Sequence, residues 1–295
     1  MITPCARYGV GALVACGMFA LSWVVLERME GARSSLDALS WFDLAGFYAG
    51  IALSYLLVFV QWTQFSDLAG RRRTRSDAFV DTGLLALAKY VPGKVWGVMM
   101  RGAVSGQRVS VKREHVWRSF SEQLATLLFG VIVLGGFLLV ASAMRTDLAL
   151  AGCAVLFAAG CAVLPRLVRA GGEGGPALPV ARLVVLGVGY CALWLASVLP
   201  FVIVVVNLSL PAPDELVPIV AAFLASSIAG WIAIVAPAGF GVREAVFVFA
   251  HPSRAMVQEG LGWIVLHRAL FTLFDLLFGV AAIIVICLRN RVSGR

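Results

Sequence analysis

The chain has 295 residues, of which 61% are hydrophobic and only 14% are charged. Soluble domains contain roughly 25% charged residues, so this composition excludes a soluble globular protein and predicts an all-α integral membrane protein. The net charge of +8 comes mainly from arginines in short polar stretches between apolar ones. That distribution is typical of cytoplasmic loops rather than of a nucleic-acid-binding surface.

A transmembrane helix needs about 20 predominantly apolar residues. Uninterrupted apolar stretches occur, in chain order, at 9–26, 42–62, 119–143, 148–165, 183–207 and 262–288. Two further apolar segments, at about 79–104 and 216–250, are interrupted by proline and glycine. We therefore predict a single polytopic domain over residues 1–295, with about six full transmembrane helices and two broken or re-entrant helical hairpins.

The sides of the membrane follow from the basic loops. Arginines cluster at 71–75, 108–118 and 166–182 and after the last span, and six crossings place all of them in the cytoplasm with both termini. The first broken segment then enters the membrane from the cytoplasm and the second from outside, as in a protein with an inverted-topology repeat. The predicted location is the inner membrane. The stretch 216–236 is long enough to cross by itself, but crossing would move the basic C-terminal tail outside, so re-entry is expected.

The first interruption combines two lysines with a Pro-Gly break: Lys89, Pro92, Gly93 and Lys94. Charges at bilayer depth are rare and face protein or a watery cavity. A broken helix is tolerated at that depth only where its freed backbone groups are buried or line a cavity. We expect both lysines to hold a phosphate as point charges. The alternative is that both side chains extend to the cytoplasmic interface.

The second interruption has its breaks at Pro237, Gly239 and Gly241, followed directly by Arg243 and Glu244. Adjacent residues of a helix do not face the same way. Arg243 is therefore expected to face a substrate or a partner acid, and Glu244 to face another helix. Arginine suits bidentate contact with phosphate. The alternative is a structural ion pair that closes the turn.

Other charged residues within the apolar segments complete the candidate binding set. Asp275 lies midway along the last span and is expected to pair with Arg243 or Lys94. Glu122 lies one turn into its span and is either a partner for a cation or an interfacial acid. Arg101 is a weaker candidate. No cofactor and no metal are expected, because no Cys/His spacing suits a metal site.

Both interruptions carry a family resemblance. The stretch 89–96 (KYVPGKVW) resembles the first signature of the lysylphosphatidylglycerol synthase transmembrane family, also called flippase-like domain proteins. The stretch 237–245 (PAGFGVREA) resembles its second signature, with Ala238 where glycine is commoner. The resemblance implies lipid translocation. The best-known members add a cytosolic aminoacyl-transferase domain, and this chain is expected to be a stand-alone member without one.

The leading expectation is a lipid translocase that moves a phosphate-bearing lipid between the leaflets, with the head group in a cationic cavity between the two breaks. The lipid is either an anionic phospholipid or a polyprenyl-phosphate-linked sugar, and nucleic acid is not an expected partner. The alternative is a non-transporting partner of a separate lipid glycosyltransferase or synthase. An enzyme is not expected, because the chain has only three histidines and no paired-carboxylate motif. One of the three, His267, is expected near the outer interface of the membrane.

Overall fold

A computed structural model of the chain contains eight α-helices within the residues that it describes. It describes residues 39–70, 73–90, 97–98, 101, 104–105, 108–109, 113–142, 146–170, 178–209, 211–233, 235–251 and 257–292, with a few residues between 13 and 24. The helices are α1 (Trp41–Leu68), α2 (Arg75–Ala88), α3 (Arg113–Ala141), α4 (Thr146–Ala170), α5 (Val180–Ser209), α6 (Pro213–Ile232), α7 (Val242–Ala250) and α8 (Val257–Val292). A 3₁₀ turn, Pro237–Gly239, separates α6 from α7, and two two-residue strands, Val104–Ser105 and Arg108–Val109, pair antiparallel.

Six of these helices are long and apolar enough to cross a membrane: α1, α3, α4, α5, α6 and α8. The predicted all-α membrane class is confirmed. The set of six differs from the predicted one, because α6 is now included. The predicted span at 9–26 lies almost entirely outside the described residues.

The long helix α8 shows where the first broken segment lies. Its 36 residues extend about 54 Å at 1.5 Å per residue. The start of α2 contacts the end of α8, where Arg289 donates a 2.8 Å hydrogen bond to Asp77. Further along α2, Leu87 packs against Gly279. Residue numbers fall on α8 as they rise on α2, so the two helices are antiparallel and α2 ends beside the middle of α8.

The second broken segment approaches the same point from the other end of α8. At the start of α7, Glu244 contacts Arg268, and near the end of α7 Phe247 packs against Gly260. Helix α7 therefore lies along the first part of α8 and is antiparallel to it. Helices α2 and α7 thus face each other end to end along α8. This arrangement is what the predicted entry from opposite sides requires.

Helices α6 and α7 form a hairpin whose two ends lie at one end of the bundle. Helix α6 begins just after α5, at the end where Ile203 of α5 approaches Gly46 near the start of α1. Helix α7 ends at His251, which contacts Trp263 near the start of α8. Since Phe47 of α1 contacts His267 of α8, the starts of α1 and α8 lie at this same end. The hairpin is therefore re-entrant, although α6 alone is long enough to cross.

The first broken segment also turns back. Gly97 lies against Ala88 of α2, and Arg101 stacks on Trp62, close to the end of α1. The chain therefore returns from the tip of α2 toward the end of the bundle where α2 began. Opposite entry of two hairpins fits an inverted repeat, and the equivalence of the two halves stays a hypothesis.

Candidate functional site

The tip of the first hairpin lies just beyond α2. Helix α2 ends at Ala88, Lys89 is its C-terminal cap, and Tyr90 follows in a turn with its side chain buried. The predicted break residues Pro92 and Gly93, and the candidate ligand Lys94, lie outside the described residues. The described part of this site therefore rests on Lys89 and Tyr90.

The tip of the second hairpin is broken where the sequence predicts it. Ala238, Gly239 and Gly241 have φ angles of 49°, 73° and 81°. Glycine adopts these left-handed values without a steric penalty, whereas Ala238 accepts some strain there. Gly239 also allows close packing, because a Cβ at this position would lie 2.6 Å from the Cα of Gly230 on α6.

The two tips touch. The backbone N–H of Ala238 donates a 2.7 Å hydrogen bond to the carbonyl oxygen of Lys89. The ring of Tyr90 and the methyl group of Ala238 pack together beside Leu276 of α8. Residues nearly 150 positions apart in the chain therefore form one junction within the helix bundle.

Asp275 of α8 is the centre of a buried polar network at this junction. Its side chain is fully buried, and Lys89 Nζ lies 2.6 Å from Oδ2. The hydroxyl of Tyr90 donates to Oδ2 at 2.5 Å, and the hydroxyl of Tyr55 donates to Oδ1. A buried carboxylate is stable only when it is paired and hydrogen-bonded, and here it is both. The sequence indicated Arg243 or Lys94 as its partner, and the structure pairs it with Lys89.

Glu244 is committed to two partners. Its carboxylate accepts a 2.8 Å hydrogen bond from the backbone N–H of Gly241 and pairs with Arg268 of α8. The first contact caps the N-terminus of α7 and compensates the unpaired N–H groups there. Arg268 also lies over the ring of Phe240, at 5.0 Å from its centroid. Glu244 therefore faces a neighbouring helix, the direction indicated for it by the sequence.

Arg243, the next residue, lines the cavity beside the junction. Its side chain packs on Gly230 so tightly that a Cβ there would lie 2.3 Å from Cγ of Arg243 and 2.4 Å from Nε. The Nε atom is buried and has no hydrogen-bond partner among the described residues. Arg243 forms no ion pair with any carboxylate in the described part of the chain.

Arg101 and Glu122 form a separate buried pair. Nη1 of Arg101 contacts Oε2 of Glu122, and the guanidinium lies over Trp62 at 4.3 Å from the ring centroid. Arg101 is fully buried. Glu122 also accepts a 2.9 Å hydrogen bond from Gln123. Of the two roles indicated for Glu122, the structure shows the partner for a cation and not the interfacial acid. The pair links α3 to Trp62 of α1.

A cavity of about 670 Å³ adjoins the junction. Three cationic side chains in the described part of the chain line it: Lys89, Arg243 and Arg268. The two carboxylates that pair with them, Asp275 and Glu244, leave one unit of positive charge in this cluster. Since Lys89 and Arg268 each have a carboxylate partner, Arg243 supplies the excess charge.

The cavity reaches the outer surface of the helix bundle. Four of the residues that line it are large apolar side chains that are also more than a third exposed: Trp117, Phe120, Leu124 and Ile232. The first three lie on one face of α3, and Ile232 ends α6. An opening flanked by exposed apolar side chains in a membrane protein faces lipid.

Two residues of the site were not identified from the sequence. Tyr55 of α1 was one aromatic residue among many in an apolar helix, and no local pattern connects it with Asp275, 220 positions away. His267 was expected near the outer interface. In the structure His267 is 3% exposed and lines the cavity among four phenylalanine rings.

Comparison of the chain with protein-family models, with curated proteins and with solved structures finds no match.

Proposed function

We propose that this protein is a lipid translocase that carries the phosphate-bearing head group of a membrane lipid through the cavity beside the two joined hairpin tips. The lipid is a phospholipid or a lipid-linked sugar, and its acyl or polyprenyl chains stay in the bilayer. The proposal places the protein in the inner membrane with both termini in the cytoplasm. Membership of the flippase-like family is part of the proposal and rests on the two signatures.

The observation that carries the proposal is the excess positive charge at a junction of two re-entrant hairpins. Backbone breaks and charges are costly at bilayer depth and occur where they serve a polar path. Here Lys89, at the end of α2, contacts Ala238 of the second break, and Lys89, Arg243 and Arg268 line one cavity. Arg243 is the cation without a carboxylate partner among the described residues, and a guanidinium binds phosphate in a bidentate manner.

The size and opening of the cavity suit a head group. A volume of about 670 Å³ lies within the usual range of roughly 300–1,000 Å³ for small-molecule sites. The apolar opening between α3 and the end of α6 gives the hydrocarbon chains a route to the bilayer while the phosphate is inside. A channel for a free ion would not need an opening toward lipid.

Transport by the purified protein in vesicles tests the proposal. Fluorescent analogues of an anionic phospholipid and of a lipid-linked sugar are placed in both leaflets of the vesicles. A membrane-impermeant quencher then reports the fraction of the labelled lipid that reaches the outer leaflet. The measurement is made with and without a proton gradient. Wild-type protein should accelerate exchange between the leaflets over protein-free vesicles, and Arg243→Gln should abolish the acceleration.

Arg169→Gln is the matched control, because Arg169 is an exposed arginine at the end of α4. It should transport as the wild type does. Equal exchange in wild-type and protein-free vesicles for both lipids would contradict the proposal. Co-purification with a glycosyltransferase under those conditions would favour the non-transporting partner instead.

A further inference from the structure

His267 is a buried polar side chain that lines the cavity and takes no part in the ion pairs of the junction. It is 3% exposed, and both of its ring nitrogens are buried without a hydrogen-bond partner among the described residues. A buried polar group without a hydrogen-bond partner destabilises a protein. A group in this condition that lines a cavity is explained by a ligand that completes its hydrogen bonds.

Aromatic side chains pack around the ring of His267, but no described residue forms a hydrogen bond with its nitrogens. The imidazole lies edge-on to Phe223 at 5.1 Å and to Phe47 at 5.6 Å, and tilted to Phe271 at 5.6 Å, all measured between ring centroids. No carboxylate in the described part of the chain pairs with the imidazole. A buried charge without a counter-ion is costly, so the neutral ring is the favoured form. Neutral imidazole offers one donor and one acceptor.

The acids near the cavity are already paired. Asp275 is bound by Lys89 and two tyrosines, Glu244 by Arg268, and Glu122 by Arg101. A head group that carries an ammonium group would find no uncommitted carboxylate among the described residues. A neutral hydroxyl group, in contrast, can both donate to the imidazole and accept from it.

We propose, building on the function above, that His267 is a specificity-determining residue that selects lipids whose phosphate carries a neutral hydroxyl-bearing group. Arg243 binds the phosphate, and His267, one position before Arg268 on α8, binds a hydroxyl of the adjoining group. Ser227 of α6, one turn beyond Phe223, adds a further hydroxyl to the same wall. The hydroxyl-bearing group is either the glycerol of a phospholipid or a sugar on a polyprenyl phosphate.

Binding in detergent tests this proposal without requiring transport. Short-chain phosphatidylglycerol is compared with short-chain phosphatidylmethanol, which has the same phosphodiester charge and no hydroxyl. A polyprenyl phosphate sugar is compared with the methyl ester of the same polyprenyl phosphate. In at least one pair, wild-type protein should bind the hydroxylated member about five- to tenfold more tightly, the value of one or two hydrogen bonds. The pair with the larger ratio identifies the source of the hydroxyl group.

Three variants separate recognition from folding. His267→Phe fits the aromatic surroundings but cannot hydrogen-bond, so it should abolish the ratio and leave the thermal midpoint at or above that of the wild type. His267→Gln keeps a donor and an acceptor and should retain most of the ratio. Arg243→Gln should weaken both members of a pair equally and leave their ratio unchanged.

The proposal is overturned if neither pair shows a ratio in the wild type, if His267→Phe retains the ratio, or if His267→Phe unfolds well below the wild type while His267→Gln does not. The last result would show that the ring nitrogens have a structural partner. A His267-dependent ratio in a protein that moves no lipid would refute the translocase function and leave the recognition by His267 intact.

Discussion

The carbonyl oxygen of Lys89 accepts a 2.7 Å hydrogen bond from the backbone N–H of Ala238. This contact joins the tips of two hairpins that enter the bundle from opposite ends. The carbonyl of Lys89 lies at the end of α2, where four carbonyls lack intrahelical partners, and the N–H comes from a segment with left-handed backbone. The carbonyl at the end of α2 and the N–H of the second break therefore satisfy each other's hydrogen-bonding requirement. A shift of either hairpin would have to disturb both.

The ion pair between Lys89 and Asp275 should show strong energetic coupling. Lys89→Met should destabilise the protein strongly, because it leaves the fully buried carboxylate of Asp275 without its counter-ion, and Asp275→Asn should destabilise it less, because the Lys89 side chain is 30% exposed. The double variant should lose less than the sum of the two, by about 0.5–3 kcal/mol. The measurement is denaturation by SDS in mixed micelles. Lys89→Met combined with Glu259→Gln should be additive, because Glu259 is an exposed residue in the first turn of α8, far from Asp275. Additivity in both cycles would show that the pair does not form.

Gly230 should be essential because of the side chain that lies on it. An alanine Cβ would lie 2.3 Å from Cγ of Arg243, so Gly230→Ala has to displace that side chain. We expect a loss of about 1–3 kcal/mol and a loss of lipid binding comparable to that of Arg243→Gln. The matched control is Gly136→Ala in α3, where the new Cβ meets only Cys153 Sγ at 3.4 Å. The control should be neutral or stabilising, since alanine favours helix over glycine. Unchanged binding by Gly230→Ala would show that Arg243 is not held in place there.

Substitutions of Ala238 should follow its backbone geometry. At φ 49° a non-glycine residue is strained by roughly 1–2 kcal/mol, and Ala238→Gly relieves this strain while losing a buried methyl group worth about 0.8 kcal/mol. The net change in stability should be small and favourable. Ala238→Val should destabilise strongly, because a β-branched residue is an outlier at positive φ. Thermal unfolding of the two variants decides this, and equal stability of the valine variant would contradict the observed turn.

Side-specific labelling of single cysteines, in a background without the native ones, should reveal the re-entrant hairpin. The start of α6 and the end of α7 lie at one end of the bundle, so Glu215→Cys and Ala250→Cys should react with an impermeant thiol reagent from the same side of the membrane. Arg75→Cys, at the start of α2, and Arg169→Cys, at the end of α4, should react from the other side. The arginine-rich stretches 71–75 and 166–182, which include these two positions, predict that this second side is the cytoplasm. Labelling of Glu215→Cys and Ala250→Cys from opposite sides would mean that the hairpin crosses the membrane.

The roles of individual charges were only partly predictable. The sequence showed that the charges next to the breaks had to face protein or a cavity, because hydrocarbon cannot solvate them. It could not show that Asp275 would form an ion pair with Lys89 and not with Arg243, because which cation lies next to Asp275 depends on how α8 packs against two separate hairpins. It also placed His267 at an interface, because a histidine in an apolar helix gives no sign of its depth within a bundle.

The sequence by itself determined that the chain is an all-α membrane protein and that two of its apolar segments are broken. Hydrophobic length and the conformational limits of proline and glycine are local properties that each segment carries independently. Only the tertiary structure decided that the end of α2 meets the break at Ala238, that Lys89 and Arg268 are paired while Arg243 is in excess, and that Tyr55 and His267 belong to the site. Those outcomes depend on contacts between residues up to 220 positions apart, and no local pattern in the chain specifies which distant side chains packing will bring together.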